Sequence, residues 1–187
     1  MTGDAAVFVD RDGVLNVRPP EHAYVSRVEA LEWLARAAGG VAALNDAGYR
    51  VVVVSNQRGI ARGLVTSETL AGIEDVIGRR LEEVGGEIER FYYCPHDVGD
   101  ACDCRKPRPG LILRAAAELG LDVARSAMIG DSESDVEAGR AAGCATTILI
   151  APHGTPTSAD ALAADLVEAA AVVGAPPCPD AAGPARM

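Results

Sequence analysis

The run Val51-Val52-Val53-Val54 places four β-branched apolar residues in succession with no polar alternation. A strand of that kind is buried on both faces, as in a parallel sheet covered by helices. Ala5-Ala6-Val7-Phe8-Val9 has the same character near the start of the chain. Both runs stop abruptly at polar, chemically capable residues. In an open α/β sheet the carboxyl ends of the strands border the ligand crevice, so these two stops mark the candidate site.

The first stop is Asp10-Arg11-Asp12-Gly13. Two carboxylates at a strand end hold a hard cation through oxygen, and one can attack as a nucleophile while the other moves a proton. An acidic turn is the plain structural alternative. The second stop, Ser55-Asn56-Gln57-Arg58-Gly59-Ile60-Ala61-Arg62-Gly63, is polar, glycine-bearing and twice basic. Its hydroxyl, amides and backbone N–H groups suit phosphate oxygens, although a solvated strand-to-helix loop has a similar composition. A third apolar run, Ser126-Ala127-Met128-Ile129, ends at Gly130-Asp131 with Asp135 four residues on. Alone, Asp131 reads as a helix cap; with Asp10 and Asp12 it completes an oxygen set for Mg²⁺. Asp135 either touches the metal's water shell or only anchors its loop. The segment 14–24, with Arg18-Pro19-Pro20, reads as a loop bordering the same place.

Between these stops the pattern predicts helices over 41–48, from Thr66 or Ser67 to about 84, over 111–119 and over 137–142. Strands are predicted over 88–93 and over 146–150, the latter as the last strand, and a closing helix over 159–173. Gly48, Gly120 and Gly143 supply C-terminal stops. A short helix or an irregular turn fits 28–34. Cys94, His96, Cys102 and Cys104 fall within one loop. Three thiolates and an imidazole are a four-ligand set for tetrahedral Zn²⁺, and four protein ligands make such a zinc structural rather than hydrolytic. Arg105-Lys106-Pro107-Arg108-Pro109-Gly110 follows directly, so its cations are held at fixed positions by the clamped loop. Cys144 reads as a core thiol, and Cys178 has no partner in the pattern.

Aromatics make up only 4% of the 187 residues, so the core must be built from Ala, Val, Leu and Ile. The length predicts a single domain over 1–173, followed by a mobile tail over 174–187. The formal net charge of −10 argues against nucleic acid or an anionic membrane as a partner. It leaves room for an anionic small molecule, because a metal and local cations reverse the sign inside a cleft. No signal peptide and no membrane-length apolar run is seen, so a cytoplasmic location is expected. A monomer is expected because no exposed apolar helix stripe stands out.

Asp10-Arg11-Asp12-Gly13, Ser55-Asn56-Gln57, Lys106 and Gly130-Asp131 together resemble the four motifs of the haloacid dehalogenase-like phosphatases. Tyr93-Cys94-Pro95-His96 and Cys102-Asp103-Cys104-Arg105-Lys106-Pro107 narrow the likeness to the bacterial D-glycero-D-manno-heptose-1,7-bisphosphate 7-phosphatases and their histidinol-phosphate phosphatase relatives. The resemblance spans about residues 5–170. It implies a doubly wound α/β sheet with helices on both faces, no large cap domain and a zinc-stapled loop. It also implies roles. Asp10 would attack phosphorus and form an aspartyl-phosphate; Asp12 would protonate the leaving oxygen and later activate water. Ser55 and Lys106 would steady the phosphoryl group. Mg²⁺ would be held by Asp10, the Asp12 carbonyl and Asp131, and Zn²⁺ by Cys94, His96, Cys102 and Cys104. Arg11, Glu21, His22, Ala23, Tyr24, Asn56, Gln57, Arg58, Arg105 and Ser132 would bind substrate, Arg105 at a distal phosphate.

Three departures touch substrate choice. The family often has Ser where Arg58 stands, often has Lys where Ser132 stands, and has a first loop without the Pro19-Pro20 insertion. The reading that follows is Mg²⁺-dependent removal of the 7-phosphate from a heptose 1,7-bisphosphate, a small phosphorylated sugar. The alternatives are a histidinol-phosphate phosphatase and a zinc-stapled binding protein without catalysis.

Overall fold

The computed structural model describes residues 3–174. Cys178 and the expected tail lie outside the described residues, apart from Gly174 at the end of the last helix. Six strands, β1 (Ala6–Val9), β2 (Arg50–Asn56), β3 (Arg90–Cys94), β4 (Ala127–Gly130), β5 (Thr146–Ile150) and β6 (Ala161–Ala163), form one sheet in the order β3-β2-β1-β4-β5-β6. Every pairing is parallel. The chain builds outward from β1 in one direction and then, at β4, in the other. The gap between those two directions is the switch point at which open α/β sheets bind ligands.

Unbroken apolar strands serve two cores at once. Val7, Val9, Val51 and Val53 face the first core, with α1 (Ala37–Asp46), α2 (Ser67–Glu82) and α5 (Leu166–Gly174). Ala6, Phe8, Val52 and Val54 point the other way, against α3 (Gly110–Leu119) and Ala138 of α4 (Glu133–Ala142). Each Val, Leu or Ile so buried stabilises the fold by about 1.5–3 kcal/mol relative to exposure. The doubly wound arrangement follows, because neither face of the runs 6–9 and 51–54 carries a polar residue to meet water. Helix α2 shows the local logic: Leu70, Ile73, Ile77 and Leu81 repeat at helical spacing and are buried, and the Thr66 side chain accepts from Thr69 N at its start.

The structure differs from the sequence pattern at several ends. Helix α1 begins at Ala37 rather than 41, from an Arg36 N-cap in the left-handed region with no side-chain cap bond, so no capping residue announces it. Segment 28–34 agrees with the expected short helix or irregular turn, holding a 3-10 turn, Val28–Ala30. Helix α4 begins at Glu133, four residues before the predicted start. The closing helix expected over 159–173 divides into β6 and the shorter α5, so β5 is not the last strand. Asp160 explains the division: its Oδ2 accepts both Thr147 N and Thr147 Oγ1 at 2.7 Å and fastens 161–163 along β5. Asp165 then caps α5 by accepting Glu168 N at 3.0 Å.

Candidate active site

Register sets the site. Val9 lies level with Val53 on one side and with Ile129 on the other, so the chain segments leaving β1, β2 and β4 emerge together. Asp10 N donates to Ile129 O at 3.0 Å, which ties the first residue after β1 to β4. Asp10 and Asp12 then line a cleft of about 330 Å³ with Ser55, Lys106, Ser132 and Asp135.

Lys106 is buried at the centre. Its Nζ lies 3.0 Å from Asp10 Oδ1 and 2.6 Å from Asp135 Oδ1, and donates to Val54 O at 2.8 Å. Burial pushes the lysine pKa down, but the two carboxylates outweigh it and the net shift is upward, so the ammonium keeps its charge. Burial raises Asp10, against the opposing pull of Lys106. The lysine backbone is fixed as well: Asn56 Nδ2 donates to Lys106 O at 3.1 Å, and Lys106 N donates to Asn56 Oδ1 at 3.0 Å. One amide at the end of β2 therefore clamps the loop that carries the cation.

Asp12 is held from three sides. Arg11 NH2 reaches its Oδ1 at 3.0 Å, Asn16 Nδ2 donates to the same oxygen at 2.9 Å, and Gln57 Nε2 donates to Oδ2 at 2.8 Å. Gln57 Nε2 also reaches Ser55 Oγ at 3.2 Å. Arg11, expected among the substrate contacts, is fully buried and outside the cleft lining. Its guanidinium is engaged by the neighbouring carboxylate, so it positions Asp12 rather than facing a ligand.

Asp131 closes the site from β4. Its carboxylate, with those of Asp10 and Asp135, offers oxygens that all lie within 4.8 Å of one another, the donor chemistry a hard divalent cation requires. Burial pushes Asp131 up to about 7, against the Arg18 guanidinium that pairs with its Oδ1. Asp135 is committed elsewhere: besides Lys106 it accepts Ser132 N at 3.1 Å and Ser132 Oγ at 2.7 Å, anchoring the start of α4. That leaves Asp10 and Asp131 as the carboxylates best able to hold Mg²⁺.

The rim comes from loops. Of the residues the resemblance implies as substrate contacts, Ala23, Tyr24, Asn56, Gln57, Arg58 and Arg105 line the cleft. Glu21 and His22 do not. Ala23 N closes a turn onto Pro20 O at 2.9 Å, and the two residues at its tip have side chains 89% and 70% exposed. Arg58 Nε donates to Tyr24 OH at 2.9 Å, and its NH1 lies 3.8 Å from Asp97 Oδ1. Arg105 NH1 donates to His96 O at 3.3 Å, which joins the rim to the cysteine loop. Arg18 and Pro19, from the loop expected to border the site, also line the cleft, as does Ser134. The position of Arg18 in the loop after β1 was the one available signal.

Cys94, His96, Cys102 and Cys104 converge below that rim. Cys94 Sγ lies 3.5 Å from His96 Nδ1, 3.9 Å from Cys102 Sγ and 3.3 Å from Cys104 Sγ, and His96 Nδ1 lies 3.2 Å from Cys104 Sγ. Ligand atoms around a tetrahedral zinc stand roughly 3.5–3.8 Å apart, so the set has the size of a zinc site. Cys144 stands apart against the second core, its thiol pushed up to about 12 by burial.

Known proteins resemble the chain in sequence and in fold. A family model described as HAD-hydrolase-like matches residues 103–174. The chain is 35% identical over 166 residues to the D-glycero-β-D-manno-heptose-1,7-bisphosphate 7-phosphatase of Yersinia pestis, covering 85% of this chain and 86% of that one. It is 40% identical over 152 residues to the protein of the same name from Vibrio cholerae, covering 78% and 80%. Among solved structures, the D,D-heptose 1,7-bisphosphate phosphatase of B. bronchiseptica complexed with magnesium and phosphate superposes with a TM-score of 0.80 at 32% identity, covering 90% of this chain and 97% of that one. A putative HAD-like phosphatase from Mesorhizobium loti gives 0.79 at 30% identity, covering 95% and 91%.

Proposed function

The chain belongs to the HAD-like family of D-glycero-β-D-manno-heptose-1,7-bisphosphate 7-phosphatases, and from that premise we propose that it hydrolyses the 7-phosphate of the β-anomeric heptose bisphosphate through an aspartyl-phosphate on Asp10. The observation that carries the reading is Asp10 at the carboxyl end of β1, paired with the buried Lys106, with the Asp131 carboxylate within 4.8 Å and Asp12 lining the same cleft.

In the first step an Asp10 oxygen attacks phosphorus and the bond from phosphorus to the C7 oxygen breaks. Asp12, oriented by Arg11, Asn16 and Gln57, gives its proton to that leaving oxygen. In the second step Asp12 takes a proton from water, whose oxygen attacks phosphorus, and inorganic phosphate leaves with Asp10 restored. Lys106 Nζ and Ser55 Oγ stand beside Asp10 to receive the phosphoryl oxygens, where positioning and electrostatics dominate the barrier. A Mg²⁺ held by Asp10, Asp131 and the Asp12 carbonyl would neutralise phosphoryl charge when bound. Cys94, His96, Cys102 and Cys104 would hold a structural Zn²⁺ that fixes Arg105 at the rim.

Arg105 and Arg58 on the rim suit the distal phosphate of a bisphosphate. Histidinol phosphate instead carries an ammonium and an imidazole. The Glu21 side chain, a carboxylate in the first loop that could pair with an ammonium, is turned to solvent. The rim charge therefore favours the bisphosphate. The intact acidic set and Lys106 favour catalysis over a binding role. A small phosphorylated sugar as substrate suits a cytoplasmic location, and no helix among the described residues is long and apolar enough to cross a membrane. Asp10→Asn tests the nucleophile. Phosphate release should fall by a factor on the order of 10⁴ with the melting temperature kept, and a variant within tenfold of wild-type kcat would overturn the assignment.

A further inference from the structure

We propose that Arg18 is a phosphate-binding residue released by the metal: it pairs with Asp131 until a divalent cation takes that carboxylate, and it then turns to the substrate phosphate in the same cleft. The proposal rests on the reading above that Asp131 helps to hold the metal.

Four cationic side chains line the cleft, and three of them have partners that metal binding leaves in place. Lys106 keeps Asp135 and the Val54 carbonyl. Arg105 keeps His96 O, and Arg58 keeps Tyr24 OH and Asp97. Arg18 differs. Its side chain is 51% exposed, and among the described residues its one polar partner is Asp131. A guanidinium and a divalent cation cannot both be neutralised by the same carboxylate without repelling each other at close range. Whichever binds Asp131 disfavours the other there.

The released guanidinium would swing from a fixed backbone at the cleft's edge. Its backbone is braced on the amino-terminal side, where Gly13 N donates to Asn16 O and Val17 N donates to Glu32 O, both at 2.7 Å. Pro19 and Pro20 follow directly and restrict φ on the other side. Movement is thus confined to the side-chain torsions, over a cleft that also holds Asp10 and Ser55. A planar two-donor fork there matches phosphate oxygens. Metal and phosphate become linked through Arg18: the metal frees the arginine for the anion, and by reciprocity the anion favours the metal.

Titration calorimetry of Mg²⁺ and of inorganic phosphate, on the full chain and on Arg18→Gln and Arg105→Gln, tests this. Arg18→Gln should bind Mg²⁺ at least about fivefold more tightly in the absence of phosphate, and its Mg²⁺-saturated form should bind phosphate at least about fivefold more weakly. Arg105→Gln also removes a positive charge from the cleft but has no contact with Asp131. It should tighten Mg²⁺ by less than about twofold. Unchanged or weaker Mg²⁺ binding in Arg18→Gln, equal tightening in both variants, or unchanged phosphate affinity in Arg18→Gln would each overturn the proposal. A failure of the parent reading looks different: Mg²⁺ would not bind the wild type, or would bind Asp131→Asn equally well, and this proposal would fall with it.

Discussion

Asp131 reaches its place because Gly13 has no side chain. A Cβ at Gly13 would stand 1.7 Å from Asp131 Oδ2, and Gly13 has φ +92°, a region that costs another residue about 1–2 kcal/mol. Gly130 plays the same part for Asp135, whose carboxyl carbon would lie 2.3 Å from an added Cβ. Two glycines therefore let two acids close on Asp10. Gly13→Ala should fold with a lowered melting temperature and bind Mg²⁺ about 10–100-fold more weakly, as displacement of a supporting residue typically does. Calorimetry showing wild-type Mg²⁺ affinity would mean that the Asp131 carboxylate belongs elsewhere. At this scale the acids, Lys106 and the cysteine set were legible because their chemistry shows in their type and spacing. Side-chain direction was not. Arg11, Glu21 and His22 each stand beside functional positions in sequence, yet Arg11 points into the protein and the other two sit on a turn tip. Arg18 differs again: its loop was expected to border the site, but its partner lies 113 positions away in sequence.

Segments 95–109 and 151–165 show how elements without much core are fastened. The first contains no helix or long strand and is gathered at Cys94, His96, Cys102 and Cys104. Protein purified without chelator should contain about one zinc per chain. Cys104→Ser should lose that zinc, lower the melting temperature and raise KM more than it lowers kcat, because Arg105 is tethered to His96 O. Full thermal stability and unaltered kinetics in a zinc-free protein would contradict a structural site. The second segment is fastened by Asp160, which satisfies the buried Thr147 N–H. Asp160→Ala should cost about 1–3 kcal/mol in urea denaturation at pH 7. Burial raises the Asp160 pKa, but bonds from Thr147 and Arg140 outweigh it and the net shift is downward. A lowered carboxylate stabilises above its unfolded value of about 3.9 and loses that contribution as pH falls through its folded value. The difference between variant and wild type should thus shrink below about pH 4, and a gap constant with pH would rule out the carboxylate as its source. The strand β6 was not legible because Ala161-Leu162-Ala163 are good helix formers, and only a partner side chain distant in sequence makes them extended. Asp165 and Glu168, a D-x-x-E pair at the start of α5, were the readable sign that the helix begins later.

At the scale of the whole molecule, strand order decides where chemistry is possible. The valine runs made a parallel, doubly covered sheet legible, and Asp10 at the end of such a run placed the site at the switch between β1 and β4. The net charge of −10 coexists with a cleft lined by Arg18, Arg58, Arg105 and Lys106, so the cationic chemistry for an anion is local to the cleft. The sugar itself was legible only through resemblance, because rim arginines specify a second anion and not the carbon skeleton between the two. The most direct test is kcat/KM for phosphate release in Mg²⁺ with the β and α anomers of D-glycero-D-manno-heptose 1,7-bisphosphate, histidinol phosphate and a generic sugar monophosphate. The account predicts that the β anomer is preferred over every other substrate by at least about tenfold, or about 1.4 kcal/mol of transition-state discrimination. A preference for histidinol phosphate, or equal turnover of the bisphosphate and the monophosphate, would contradict it.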